Sequence, residues 1–355
     1  MSPATLPVRV ALIGAGSMGL NHARVLSRSR RVRLVRIVEP RPDVGREVAD
    51  RFNTHWAPDV DALSGVDAVV IAAPTEVHFT LARHVLDLGK PLLIEKPVSS
   101  DLGEADELVR LAREHGIPLM CGFVERFNPA ILTVLPLLNA PVHIATVRHG
   151  PYAPRIKTGV AWDLLIHDVD ACLRLMGAEA ISVRAGLGYY HPNSMDGAED
   201  VTEAVIGFSG SRIATTSASR IVHRKIRSIS INEVDRSIEV DLLRRDVTIY
   251  RHVAAAAATP EGRGYRQQSI IEIPELISSR EPLAAQLDRF VDLVCGKADL
   301  AREWDSILPA HRVVAEVKAA PAAAGWAIPP GRRAPVSRPP SGAEPRDAYP
   351  APTPS

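Results

Sequence analysis

The apolar run Val8-Arg-Val-Ala-Leu-Ile13 leads directly into Gly14-Ala-Gly16-Ser17-Met18-Gly19, and a helical apolar period then runs from Leu20 to Leu26. This succession restricts the fold more than any other stretch of the chain. Gly14 allows a tight turn, Gly16 lets the backbone approach a pyrophosphate, and Gly19 lets strand and helix pack closely. The helix N-terminus then offers free N–H groups and its dipole to an anion. A second strand, Val32 to Val38, ends in Glu39, twenty residues beyond Gly19. An acid there is placed to bind the adenine ribose hydroxyls. Strand, glycine turn, helix, strand and acid in register predict a dinucleotide site, where a bare glycine pattern would not.

Glu39 favours NAD, because a carboxylate repels a ribose 2′-phosphate. Arg41 keeps NADP open, since an arginine nearby can accept that phosphate. The cofactor set expected is Gly14, Gly16, Ser17, Met18, Gly19, Glu39 and Arg41, with Ala73, Pro74, Thr75 and His78 from the loop after a third strand, and Glu95. His22 is expected to pack against the cofactor loop, and His78 to shape the ribose–nicotinamide loop.

Alternating periods set the organisation. Val66 to Ala72 reads as the third strand, with a helix through about Leu88; Pro91 to Ile94 is the fourth strand and stops at Glu95-Lys96-Pro97. A helix with capping-type residues at Ser100 to Glu104 runs to His115, and Gly116 to Cys121 is a fifth strand. Strands alternating with helices predict a doubly wound parallel sheet over residues 1–122.

Residues 123–325 change pattern. A strand at Val142 to Arg148 and a helix from Asp163 to Met176, closed by Gly177, precede closely spaced alternating strands. These are Ala180–Leu187, Val201–Phe208, Arg212–Ser219, Arg227–Asn232, Ser237–Leu242 and Val247–Tyr250. Their period of two predicts an α+β domain on a large, mostly antiparallel sheet with one buried face. Helices are expected at Pro282–Val294 and Ser306–Ala320, and Ala254–Ala258 reads as loop or frayed helix. Residues 326–355, rich in Pro, Arg and Ser, read as a disordered tail, in which Arg332-Arg333 is a solvated pair rather than an anion-binding arm.

Composition narrows the partners. The 355 residues suit two domains, and 46% hydrophobic content allows a full core. A formal charge of +1 gives no electrostatic reason to expect nucleic acid or an anionic membrane. Cys121, Cys172 and Cys295 form no C-x-x-C pair, which suits reduced thiols in the cytoplasm and supplies no metal spacing. No signal-type segment opens the chain, and no apolar stretch is long enough to span a bilayer.

Lys96 stands where a buried strand stops, and ligands of open α/β sheets bind outside the strands' carboxyl ends. Asp163 and His167 are four apart and share one face of a helix, so the acid can orient the imidazole. On the spacing alone, an exposed polar face or a satisfied core histidine accounts for that pair better. Asp168 and Asp170 nearby lack a second cluster to complete a metal site, so none is expected.

Together the glycine turn, Pro74-x-x-x-His78, Glu95-Lys96-Pro97 and Asp163-x-x-x-His167 resemble the Gfo/Idh/MocA oxidoreductase family over about residues 8–320. The resemblance implies a Rossmann domain followed by an α/β domain whose open sheet mediates homodimer or homotetramer contacts, with Lys96 and His167 facing the nicotinamide. Within the family, Gly122-Phe-Val-Glu-Arg126-Phe-Asn128-Pro129, Gly150-Pro-Tyr-Ala-Pro-Arg155-Ile-Lys157 and His223-Arg-Lys-Ile-Arg227 look like segments of UDP-N-acetylglucosamine 3-dehydrogenases. That narrower likeness implies oxidation of a sugar 3-hydroxyl, a ketone product for an aminotransferase, Arg126 and Trp162 beside the cofactor, and Asn128 beside the substrate. Trp162 departs from the smaller aliphatic residue common there. In such chemistry His167 is the base, Lys96 steadies the alkoxide, and Arg155, Lys157 and Arg224 are candidates for a substrate diphosphate. Inositol, a free sugar or a dTDP-sugar are alternative substrates, and a non-catalytic NAD(H)-binding regulator is the alternative class.

Overall fold

The computed structural model describes residues 6–259 and 262–320, with side chains described outside 253–267. Six strands, β1 (Val8–Ile13), β2 (Val32–Val38), β3 (His55–Ala57), β4 (Ala68–Ile71), β5 (Leu92–Ile94) and β6 (Leu119–Cys121), form a parallel sheet in the order 3-2-1-4-5-6. Helices α1 (Ser17–Arg28), α2 (Pro42–Arg51), α3 (His78–Asp87) and α4 (Leu102–Glu114) connect them. Every residue of β4 and β5 is buried, as strands covered on both faces require. Asp101 caps α4 by accepting the Glu104 N–H at 2.9 Å. The sequence reading lacks β3 in this sheet, and it also lacks the strand Gly262–Glu272 of the second sheet. The three residues of β3, His-Trp-Ala at the sheet edge, are too few to show a period.

The strand order reverses between β1 and β4, which opens a crevice at their carboxyl ends. Gly14 turns there at φ +99°, and a side chain on it would stand 2.5 Å from the Ala72 carbonyl oxygen at the end of β4. Only glycine fits that approach.

The second sheet comprises β7 (His143–His149), β8 (Ala180–Gly188), β9 (Val201–Phe208), β10 (Arg212–Ser219), β11 (Ile226–Asn232), β12 (Arg236–Asp241), β13 (Asp246–Thr259) and β14 (Gly262–Glu272). Its order is 14-13-12-11-7-10-9-8, and only β7 and β10 run parallel. Residues 254–258 belong to β13, not to a loop or frayed helix. Alanine carries no alternation, whereas backbone pairing to β14 is continuous there. Five helices complete the fold: α5 (Pro129–Val134), α6 (Ile166–Met176), α7 (Pro282–Val294), α8 (Leu300–Asp305) and α9 (Leu308–Ala319). Helix α6 lies on β7 and β10, and α9 packs on α6, α4 and β8. The expected tail at 326–355 lies outside the described residues.

Helix α7 returns to the first sheet's side. Leu283, Leu287, Phe290 and Val291 are buried in one cluster with Val10, Leu12, Val25 and Leu26. Arg31 on the same side pairs with Asp292 at 2.5 Å. A boundary at residue 122 therefore separates the two sheets but not the two cores. No helix among the described residues is long and apolar enough to cross a membrane.

Candidate active site

Two adjoining hollows line the crevice. One, of about 770 Å³, runs over Gly14, Gly16, Ser17 and Met18 to Glu39, Pro40 and Arg41. The other, of about 510 Å³, is walled by Ser17, Met18, Ala73, Pro74, Thr75, His78, Glu95, Lys96, Asp163 and His167, with Arg155 and Lys157 from the second domain. Arg155 borders both.

The dinucleotide half is shaped by Glu39, which is 4% exposed. Its carboxylate accepts the Ala15 N–H at 3.0 Å and the Arg41 Nε–H at 2.7 Å. Burial raises its pKa, but the Arg41 contact and the two backbone N–H groups outweigh that, leaving the carboxyl below its ordinary value. A Cβ on Gly16 would meet nothing within 4 Å, so the backbone there is open to a ligand. An open glycine turn, a helix N-terminus and an ionised acid fit a dinucleotide's pyrophosphate and ribose.

At the other end, the Lys96 ammonium donates to the Asp163 carbonyl oxygen at 2.6 Å and to Asp163 Oδ1 at 3.1 Å. The Lys96–Pro97 peptide is cis. Beneath them, His22 Nε2 and Glu95 Oε1 form a buried pair at 2.8 Å, so His22 does more than pack. Glu95 also accepts the Lys96 N–H at 3.3 Å. His78 stands between the Ala73 and Pro97 carbonyl oxygens, 2.9 Å from Nε2 and 2.7 Å from Nδ1, and its neutral ring donates to one of them at a time, on the loop after β4 or on the segment after β5. Burial is the first cause holding its pKa below the ordinary value.

The expectation that Asp163 orients His167 is corrected. Residues Ala161–Leu165 form a π-helical turn ahead of α6, and its wider winding alters the side-by-side alignment that an i,i+4 pair has in an α-helix. Asp163 faces Lys96, and His167 Nδ1 has no hydrogen-bond partner among the described residues. Burial pushes the His167 pKa well below its ordinary value, and the charges of Lys96, Arg148 and Arg227 push it the same way. A neutral imidazole beside a lysine ammonium is an arrangement for accepting a proton from an oxygen that the ammonium also contacts.

Several expected site residues lie elsewhere. Arg126 is buried behind the cleft. It clamps Asp170 in a fork, with Nη2 to Oδ1 at 2.6 Å, and donates to the Ser306 carbonyl oxygen at 2.7 Å. Asn128 caps α5 through the Ala130 N–H at 3.1 Å and donates to the Leu242 carbonyl oxygen at 3.1 Å. Trp162 is buried and tilts against the His311 ring at 6.0 Å. All three are held by the interior and line neither hollow. Arg224 is exposed and lines neither hollow. Three residues further on, Arg227 is half-buried, donates to the His149 and Ile226 carbonyl oxygens, and lies near enough to influence His167. Position in β11 separates the two arginines: Arg227 pairs across from Arg148 on the strand's inner face. Sequence alone offered only a basic run. Among the described residues no group of three or more His, Cys, Asp or Glu is placed to hold a metal ion.

A glycine-turn crevice in which a lysine from the end of β5 meets a histidine of the second domain defines a two-domain oxidoreductase that uses a nicotinamide dinucleotide. The chain belongs to the Gfo/Idh/MocA oxidoreductase family. Residues 8–123 match its NAD-binding Rossmann fold, and residues 142–240 match its C-terminal domain. It is 32% identical to a UDP-N-acetylglucosamine 3-dehydrogenase of Acidithiobacillus ferrooxidans over 291 residues, 81% of this chain and 88% of that one. A solved structure of that dehydrogenase superposes with a TM-score of 0.77 at 29% identity, covering 90% of this chain and 99% of the other. An inositol 2-dehydrogenase of Rhizobium meliloti is 29% identical over 192 residues, 51% of this chain and 58% of that one.

Proposed function

We propose that this protein oxidises the 3-hydroxyl of UDP-N-acetylglucosamine, or of a closely related nucleotide sugar, to a ketone, with NAD as the acceptor. The observation that carries the reading is the meeting of Lys96 and His167 with Arg155 and Lys157 in one hollow beside the glycine turn. NAD, when bound, supplies the hydride-accepting ring. The substrate's C3–H bond breaks as its pair leaves as hydride, and the O3–H proton passes to the neutral His167 imidazole. Lys96 donates a hydrogen bond to O3 and opposes the charge growing there. Asp163 holds the Lys96 ammonium in place through its carbonyl and carboxylate oxygens. Arg155 and Lys157, both exposed cations, are suited to a diphosphate.

Glu39 supports NAD over NADP, because its ionised, buried carboxylate repels a 2′-phosphate and already engages Arg41. A 3-keto sugar is a fit substrate for an aminotransferase, and that class of enzyme would consume the product. The test is incubation with NAD and, separately, UDP-N-acetylglucosamine, a dTDP-sugar and inositol, following reduced-nicotinamide absorbance. Turnover with the UDP-sugar is expected. Turnover confined to either other substrate overturns the substrate assignment. Binding of NAD without turnover, unaffected by Lys96→Met and His167→Asn, would instead mark a regulator.

A further inference from the structure

The π-helical turn that carries Asp163 is held from outside the cleft. Glu199 is completely buried, and its two carboxylate oxygens face different partners. Oε1 accepts the Ala161 N–H at 2.8 Å, and Oε2 receives the Lys318 ammonium from α9. The Glu199 carbonyl oxygen accepts the neighbouring Val160 N–H at 3.1 Å. Two successive N–H groups at the start of the turn therefore end on one residue. A carboxylate there is also favoured by the dipole of the helix it caps.

Gly159 is shaped to this arrangement. A methyl group on it would overlap the Glu199 carboxylate, although its φ is ordinary. The Gly159 carbonyl oxygen in turn accepts the Asp163 N–H at 3.1 Å. From there the line of contact reaches the cleft, because the Asp163 carbonyl and carboxylate oxygens hold Lys96. Asp200, next in the chain and also completely buried, fixes the preceding loop: it pairs with Arg220 at 2.6 Å, and Arg220 donates to the Thr158 carbonyl oxygen at 2.9 Å.

We propose that Glu199 is a positioning residue for the reaction: its carboxylate, anchored by Lys318, sets the Val160–Asp163 turn so that Asp163 places the Lys96 ammonium against the reacting oxygen. Glu199 touches neither substrate nor cofactor in this scheme. Its influence is on the lysine and, one turn later, on His167. The inference rests on the catalytic reading above.

The test compares Glu199→Ala, Glu199→Gln and Gly159→Ala with the parent and with Lys96→Met, in full-length protein. The measurements are kcat, KM for NAD and sugar, NAD affinity by fluorescence, and the pH profile of kcat. Glu199→Ala and Gly159→Ala are expected to lower kcat at least ten-fold while NAD affinity changes less than about three-fold. Their acid limb is expected to move, because Lys96 is one of the charges that lower His167. Glu199→Gln keeps an oxygen for the Ala161 N–H but turns an NH2 toward the Lys318 ammonium, and is expected to recover part of the lost kcat. Where Glu199→Ala does not fold, Glu199→Gln and Gly159→Ala carry the test. A folded alanine variant with parental kcat and pH profile overturns the proposal, as does a kcat loss matched by equal loss of NAD affinity. Retained turnover in Lys96→Met would overturn the catalytic reading itself, whatever Glu199 does.

Discussion

At the scale of single residues, two histidines are held neutral, one in the site and one in the interior. His167 is lowered by burial first and by three cations second. Its imidazole is therefore free to take a proton at neutral pH, and activity should fall only as pH drops below the ordinary histidine range of about 6.5. Replacing Lys96 by Met removes one of those cations, so any residual rate should show an acid limb at higher pH than the parent; a pH–rate profile reads both. His311 is the second case. It is completely buried, donates from Nδ1 to the Ile307 carbonyl oxygen at 2.8 Å, and accepts the Val98 N–H at Nε2 at 3.0 Å. Only the neutral ring can do both, and burial lowers its pKa to about 4. The unfolded chain binds a proton near 6.5 while the folded chain resists it. This contribution to stability is intact above 6.5 and lost progressively as pH falls to about 4. Its size is about 3 kcal/mol by linkage. Urea titrations across that interval should show the loss, and His311→Leu should flatten it while lowering stability at pH 7.

Among secondary-structure elements, the glycine turn is the least tolerant. Gly14→Ala would drive a methyl group against the Ala72 carbonyl at a φ of +99°, and should cost roughly 1–3 kcal/mol from backbone strain alone. Thermal melts and loss of NAD binding check this, and an alanine variant with parental affinity would contradict it. This turn was legible in the sequence because its glycines do work that no other residue does. So were β9 and β10, whose expected bounds match the observed ones. The short elements were not. Strand β3 and helices α5 and α8 have three, six and six residues, fewer than a period needs to declare itself. Strand β13 was cut short because its alanines are neither clearly apolar nor polar. The same limit applied at the site: the motifs gave Lys96, Asp163 and His167, but an i,i+4 spacing presumes α-helical winding. The π turn gave Asp163 to the lysine instead. Glu199 left no signal, being the first of two adjacent acids, Glu199 and Asp200, ahead of a strand. Arg126, Asn128 and Trp162 lie in recognisable segments, yet those segments sustain the interior.

At the scale of the whole molecule, the outer face of the eight-stranded sheet has no helix packed on it among the described residues. In the eight-stranded sheet, inward residues such as Ala204, Ile206, Ala214 and Ile229 are buried. On the alternate positions, Val205 of β9, Ile213 of β10, Tyr250 of β13 and Ile271 of β14 are each at least 40% exposed. Tyr250 and Ile271 are directly paired, and Ile213 stands between Gly207 and His143 in register. The exposed apolar residues form two groups, Val205 with Ile213 on β9 and β10 near one end of the sheet and Tyr250 with Ile271 on β13 and β14 at the other, separated by β12, β11 and β7. We expect this face to join copies of the chain as a dimer or tetramer. The catalytic crevice lies on the other domain's strand ends, so the two can be separated by mutation. Val205→Lys with Ile213→Lys places two like charges on each copy of the face. Light scattering after size exclusion should then report a smaller species than the parent, with NAD affinity unchanged because neither residue borders either hollow. A parent that is monomeric at all concentrations, or a double variant that keeps the parental mass, would remove the sheet face from the interface.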